Sequence, residues 1–276
     1  MSLRDRLLRR LYGWLDRPGR TVPGPFDAPW EGLLDERDPH WRHLDDDERD
    51  RMRRLIGSFV ASTRWEGARD FEVTDEMRVL VASQACLLLL GLDHDDFGGP
   101  ARVIVHPSTV VLRGRRSVGV GRVETSAPYR VLGQAHHRGP VLLSWASVRS
   151  ALRSPGRAQN VVHHEFAHRL DMLDGTVDGT PPLADPGARR RWSEVCTAAY
   201  ESVRDPEPDP GEPPNVLRPY AGTNPGEFFA VATEVFLARP HELRRQHPEL
   251  YGELVGYYRQ DPATRLADPD PPGAHE

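Results

Sequence analysis

The chain contains no lysine: all 36 of its basic residues are arginine. That excludes a Schiff-base lysine and a phosphate-loop lysine. The ordinary reading of such an arginine excess is genome composition. Cysteine is scarce as well. Cys86 sits in the apolar run VASQACLLLLGL and Cys196 in a helical stretch, so there is no disulfide framework. Long hydrophobic runs are missing, and the longest, at 85–92, is too short to span a bilayer. The first twenty residues, MSLRDRLLRRLYGWLDRPGR, have neither a continuous apolar core nor a small-residue cleavage site, which argues against a signal peptide. A net charge of −5 gives no electrostatic case for binding nucleic acid. These absences point to a cytoplasmic protein with no membrane or direct nucleic-acid partner. The hydrophobic fraction of 38% and the length of 276 residues suit one principal core.

Helical and strand textures alternate in blocks. Residues 1–20 could form a basic amphipathic helix, followed by a proline- and glycine-rich connection. DDDERDRMRRLIGSFVASTRW has an acidic start and helical spacing. TDEMRVLVASQACLLLLGL predicts a central helix with Thr74 as N-cap and Gly91 near its stop. Between 101 and 145 the segments RVIVHP, STVVLRG, SVGVGRVE and PVLLSW read as strands of one small sheet. Helices then resume, with an acidic, proline-rich loop at 205–215 and a last helix over roughly 240–260. The fold class is α+β, mostly helical with one small sheet. The expected organisation is an N-terminal segment 1–24, a domain 25–260 and a disordered tail 261–276. Within the domain, a helical and sheet part covers 25–175 and a helical part covers 176–260.

The informative segment is NVVHHEFAHRLDMLDG, residues 160–175. Its apolar residues suffice to bury a helix, yet it carries His163, His164, His168, Glu165, Asp171 and Asp174. Polar groups on a buried face cost free energy unless paired. His164-Glu165-x-x-His168 places two imidazoles one turn apart on one helical face, able to converge on a zinc ion. Glu165, about 100° around the helix, would flank the metal and take a proton from the water it activates. His163 is out of register. Structural histidines, or a closed structural zinc site, are the competing readings.

Catalytic zinc usually has three protein ligands. Asp171 shares the histidine face but sits a further turn along, which favours a supporting role over ligation. Glu227, in TNPGEFFAVATEVFL, is the better candidate. Asn224, Pro225 and Glu227 also fit the start of a helix with a capping box, so capping alone could explain that glutamate. Spacing leaves the two readings open. Capping would not explain Glu234, which interrupts the same apolar run.

HEFAHRLDMLDG, TDEMRVLVASQACLLLLGL, GPVLLSW and YAGTNPGEFFAVATEVF together resemble the Mlc titration factor A family of bacterial zinc peptidases, in order over roughly 25–260. The resemblance implies a gluzincin-like zincin fold whose catalytic core is similar to that of anthrax lethal factor. It implies one Zn²⁺ held by His164, His168 and Glu227, with Glu165 as general base. It also points to Tyr220, seven residues before Glu227, as a catalytic assistant. Lethal factor has an acid four residues after its ligand glutamate, where this chain has Val231. Glu234 and Asp171 are then the candidates to support the histidines. The resemblance further implies weak aminopeptidase activity on peptide or protein substrates, and an Mlc-like repressor as partner. The alternative is a binding protein that sequesters a transcription factor without catalysis.

Overall fold

The structure is a computed structural model that describes residues 23–93, 97–99, 101–108, 139–183, 185–204 and 213–269. Its first helix, α1 (Ala28–Arg37), has a proline in its first turn. Helix α2 (Asp46–Ser62) begins with a full capping box: Asp45 accepts from the Glu48 amide while Glu48 reaches back to the Asp45 amide. Helix α3 (Asp75–Leu87) starts at Thr74, whose hydroxyl oxygen accepts from the Met77 amide as the sequence predicts. Past its end, Arg51 donates to the carbonyls of Leu90 and Leu92. Gly91 follows because a Cβ there would stand 2.3 Å from the Tyr258 carbonyl oxygen.

Three strands, β1 (Arg64–Gly67), β2 (Arg102–His106) and β3 (Val141–Ser144), form a parallel sheet with β2 in the middle. Val103 pairs with Trp65 on one side and Val141 on the other. Val103, Val105 and Leu143 are buried. Two of the expected strands, RVIVHP and PVLLSW, are therefore present. STVVLRG and SVGVGRVE fall almost wholly outside the described residues, as do the N-terminal helix and most of the acidic loop.

The sheet corrects one boundary. The sequence run ending in STRW reads as helix to Trp65, but α2 stops at Ser62 and Arg64 begins β1. RWEG has no apolar alternation; its place is set by pairing along β2, where Glu66 forms an ion pair with Arg102.

Helix α4 (Trp145–Arg153) leaves β3 directly. Helix α5 (Val161–Asp171) carries the histidine motif; it ends at Asp171, and a 3-10 turn, Met172–Asp174, runs on to the expected stop at Gly175, which has the left-handed φ of 98°. Helix α6 (Pro186–Arg204) is followed by a 3-10 turn, Pro219–Gly222, and by α7 (Pro225–Ala238). The expected last helix is two helices, α8 (Pro240–Gln246) and α9 (Pro248–Tyr258). His247 breaks them at φ −134° and ψ 66°, outside the helical region, which is disfavoured for a residue before a proline.

The expected disordered tail also differs. Its first residues form α10 (Pro262–Arg265), with Ala263 buried and Asp268 paired with Arg245.

Helices α5 and α7 pack on each other at the centre of the molecule. Val162, Phe166, Ala167 and Leu170 are fully buried. Phe166 meets Phe59 and Phe97 at ring separations of 5.4 and 4.7 Å, locking α5 onto α2. Almost every residue of α7 is buried. Two helices packed this closely have little freedom to shift, so polar side chains at their interface are held in fixed register.

Candidate metal centre

Helix α5 starts on Asn160, whose side-chain oxygen accepts from the amides of Val162 and His163. One turn on, His164 and His168 project from the same face, with Nε2 atoms 3.3 Å apart. From α7, Glu227 Oε2 lies 3.0 Å from His164 Nε2 and 3.5 Å from His168 Nε2. The structure thus brings together the three residues expected as ligands.

This donor set fits a metal ion. Two atoms bound about 2.0–2.1 Å from a tetrahedral zinc stand about 3.3–3.4 Å apart. The three separations here bracket that value. His164 Nδ1 lies 2.8 Å from Glu234 Oε1, so its ring proton belongs on Nδ1 and a lone pair is available at Nε2. Three electron-rich atoms then converge in a nearly dry place, and a cation satisfies all of them. They also attract a proton. Burial pushes the His164 imidazole down, but Glu227 and Glu234 overcome it and raise its pKa to about 9. Burial acts to raise Glu227, and hydrogen bonds and charge from His164 and His168 hold it well below the usual carboxylate range.

Glu165 stands beside this group, off the histidine face. Burial raises its pKa, against the pull of His164 and His168. Tyr220 lies in the 3-10 turn before α7, its ring centroid 6.1 Å from that of His164.

The competition between Asp171 and Glu234 divides plainly. Glu234 faces His164. Asp171 is fully buried and accepts the Gly179 amide at 3.0 Å, anchoring the loop after α5. Gly179, at φ 76°, passes so close to α7 that a Cβ would stand 2.3 Å from the Pro225 carbonyl oxygen. His163 turns away from the triad, packing 5.5 Å from the His40 ring and close to Asn160, and burial drives its pKa well down. Two participants escape sequence reading. Arg218 is one arginine among many, and the Asn160 backbone amide, which donates to Glu234 Oε2 at 2.7 Å, carries no side-chain signature.

A mostly helical α+β fold with an H-E-x-x-H helix against a small sheet, and a glutamate from a second helix, is that of a zincin-like metallopeptidase. Residues 14–259 match the glucose-regulated metallo-peptidase M90 family, and the chain belongs to that family. Among its relatives, the Synechocystis sp. protein slr2042 is 32% identical over 250 residues, covering 90% of each chain. Mlc titration factor A of Edwardsiella ictaluri is 31% identical over 226 residues, 81% of this chain and 84% of that protein. Mlc titration factor A of Cronobacter sakazakii is 29% identical over 238 residues, 86% and 88% respectively. The family implies a metal and peptide substrates. Among the described residues, no helix is long and apolar enough to cross a membrane.

Proposed function

We propose that the protein is a zinc-dependent peptidase of aminopeptidase type, with one Zn²⁺ held by His164, His168 and Glu227. The observation that carries this reading is the triangle of Nε2, Nε2 and Oε2 atoms, 3.0–3.5 Å on a side, with Glu165 beside it. Bound there, zinc supplies a Lewis acid that polarises a carbonyl and makes water more acidic. Glu165 removes the proton from the attacking water and returns it to the leaving amine; a carboxylate raised by burial is better matched to both transfers. Tyr220 offers a phenolic O–H to the developing oxyanion. Substrate lies along β3, which is an edge strand among the described residues, and pairs with it through main-chain hydrogen bonds. In this reading the protein acts in the cytoplasm.

The test is hydrolysis of a short peptide with a free amino terminus against the same peptide acetylated. Aminopeptidase action predicts cleavage of the first and not of the second. Equal cleavage would make the protein an endopeptidase-type enzyme, and cleavage of neither would count against peptidase function.

The relatives named for titrating Mlc favour a second reading, in which the protein binds a sugar-responsive repressor and sequesters it. Glu165→Gln separates the two. Repressor binding and its cellular effect surviving intact in that variant would assign regulation to sequestration; loss of the effect with binding retained would assign it to proteolysis.

A further inference from the structure

The two histidines are held differently. His168 Nδ1 is buried and has no partner among the described residues. His164 Nδ1 is fixed by Glu234, and Glu234 is itself fixed at both oxygens. Its Oε2 accepts from the Asn160 amide at 2.7 Å, and its Oε1 accepts from Arg218 at 2.6 Å as well as facing His164. The Glu234 side chain is 2% exposed, so this carboxylate depends on protein donors rather than water.

Arg218 does more than neutralise it. Its other terminal nitrogen donates to the Ala158 carbonyl at 2.9 Å. Ala158 is a buried non-glycine residue in the left-handed region, φ 47°, two positions before the N-cap of α5. The guanidinium carbon also lies 5.9 Å from the centroid of the Tyr220 ring. One side chain thus ties together the entry to the histidine helix, the carboxylate behind His164, and the turn that carries Tyr220.

We propose that Arg218 is a positioning residue of the metal centre: through Glu234 it holds the His164 ring so that Nε2 faces His168 and Glu227. The inference rests on the metal assignment proposed above. A planar fork suits the task, because it reaches a carboxylate and a carbonyl in two directions at once. A lysine keeps the charge but offers a compact head that cannot hold both partners in the same geometry. Asn160 completes the arrangement from the other side: its side chain sets where α5 begins, and its amide holds the second oxygen of Glu234.

The test uses the full chain with Arg218→Lys and Arg218→Met. Zinc affinity is measured by competition with a chromogenic chelator, the visible absorption of the cobalt(II)-substituted protein is recorded, and folding is followed by circular dichroism. Loss of an outer hydrogen-bond partner typically weakens metal binding by about 10–100-fold. Arg218→Met should fall in that range with an altered cobalt spectrum, and Arg218→Lys should lie between it and wild type. A purely structural role would lower the melting temperature of either variant and leave the affinity and spectrum of the folded protein unchanged, which overturns the proposal. Should Arg218→Met fail to fold, the same readouts on Arg218→Lys decide: wild-type affinity and spectrum there contradict it. Wild-type protein that binds neither metal would instead remove the metal-centre reading, and this inference with it.

Discussion

Glu227 Oε2 stands 3.0 Å from His164 Nε2, on a helix whose N-cap is already supplied by Asn224. The contrast with α2 is direct. There Glu48 returns to its N-cap amide and completes the box; in α7 the Asn224 side chain accepts from the Glu227 amide while the Glu227 carboxylate faces the histidines. Glu227→Ala should therefore abolish tight zinc binding and activity. If Glu227 served only the helix start, the same change would cost about 1 kcal/mol or less and leave metal content intact. Metal content and melting temperature measured on one sample distinguish the outcomes.

Tyr220→Phe keeps the ring against His164 and Arg218 and removes the hydroxyl. An oxyanion donor acts chiefly in the transition state, so kcat should fall roughly 10²–10³-fold with little change in KM and normal zinc content. A kcat within about twofold of wild type would confine Tyr220 to packing.

His163 adjoins the first proposed ligand in sequence, yet it is buried against His40 and Asn160. His163→Ala should keep about one zinc per chain while losing roughly 1–3 kcal/mol of stability through disrupted buried polar packing. Zinc loss in this variant, with the fold intact, would mean that the ligand face has been drawn wrongly.

Asp171 links pH to stability. Burial raises its pKa to about 6 despite the Gly179 amide. An unfolded aspartate titrates near about 3.9, so between these values the folded chain holds the extra proton. The resulting contribution is present in full below about pH 4 and is lost as pH rises through 6. In chelator-treated protein, Asp171→Asn should gain stability relative to wild type between pH 4.5 and pH 8. Melting temperatures of the pair across that range check the sign; a constant difference would show that Asp171 titrates normally.

The parts of the site that were legible in the sequence are those fixed by local geometry. His164 and His168 are one turn apart wherever the segment is helical, and Asn160 and Gly175 mark where that helix starts and stops. The pairing of α5 with α7 is not local. Spacing alone therefore leaves Glu227 between cap and ligand, and the resemblance leaves both Glu234 and Asp171 as candidates behind the histidines. Strand β1 is not legible in the sequence, because RWEG has no alternation of its own and takes its place from β2. Arg218 is invisible for a different reason: in a chain whose every basic residue is arginine, residue type carries no signal, and only its distances to Glu234 and Ala158 single it out.

The most direct test of the central claim is elemental analysis of the purified wild-type protein beside His168→Ala. A catalytic centre on His164, His168 and Glu227 requires about one zinc per chain in wild type, removable by chelation, and little or none in the folded variant. Stoichiometric zinc retained by His168→Ala would contradict it.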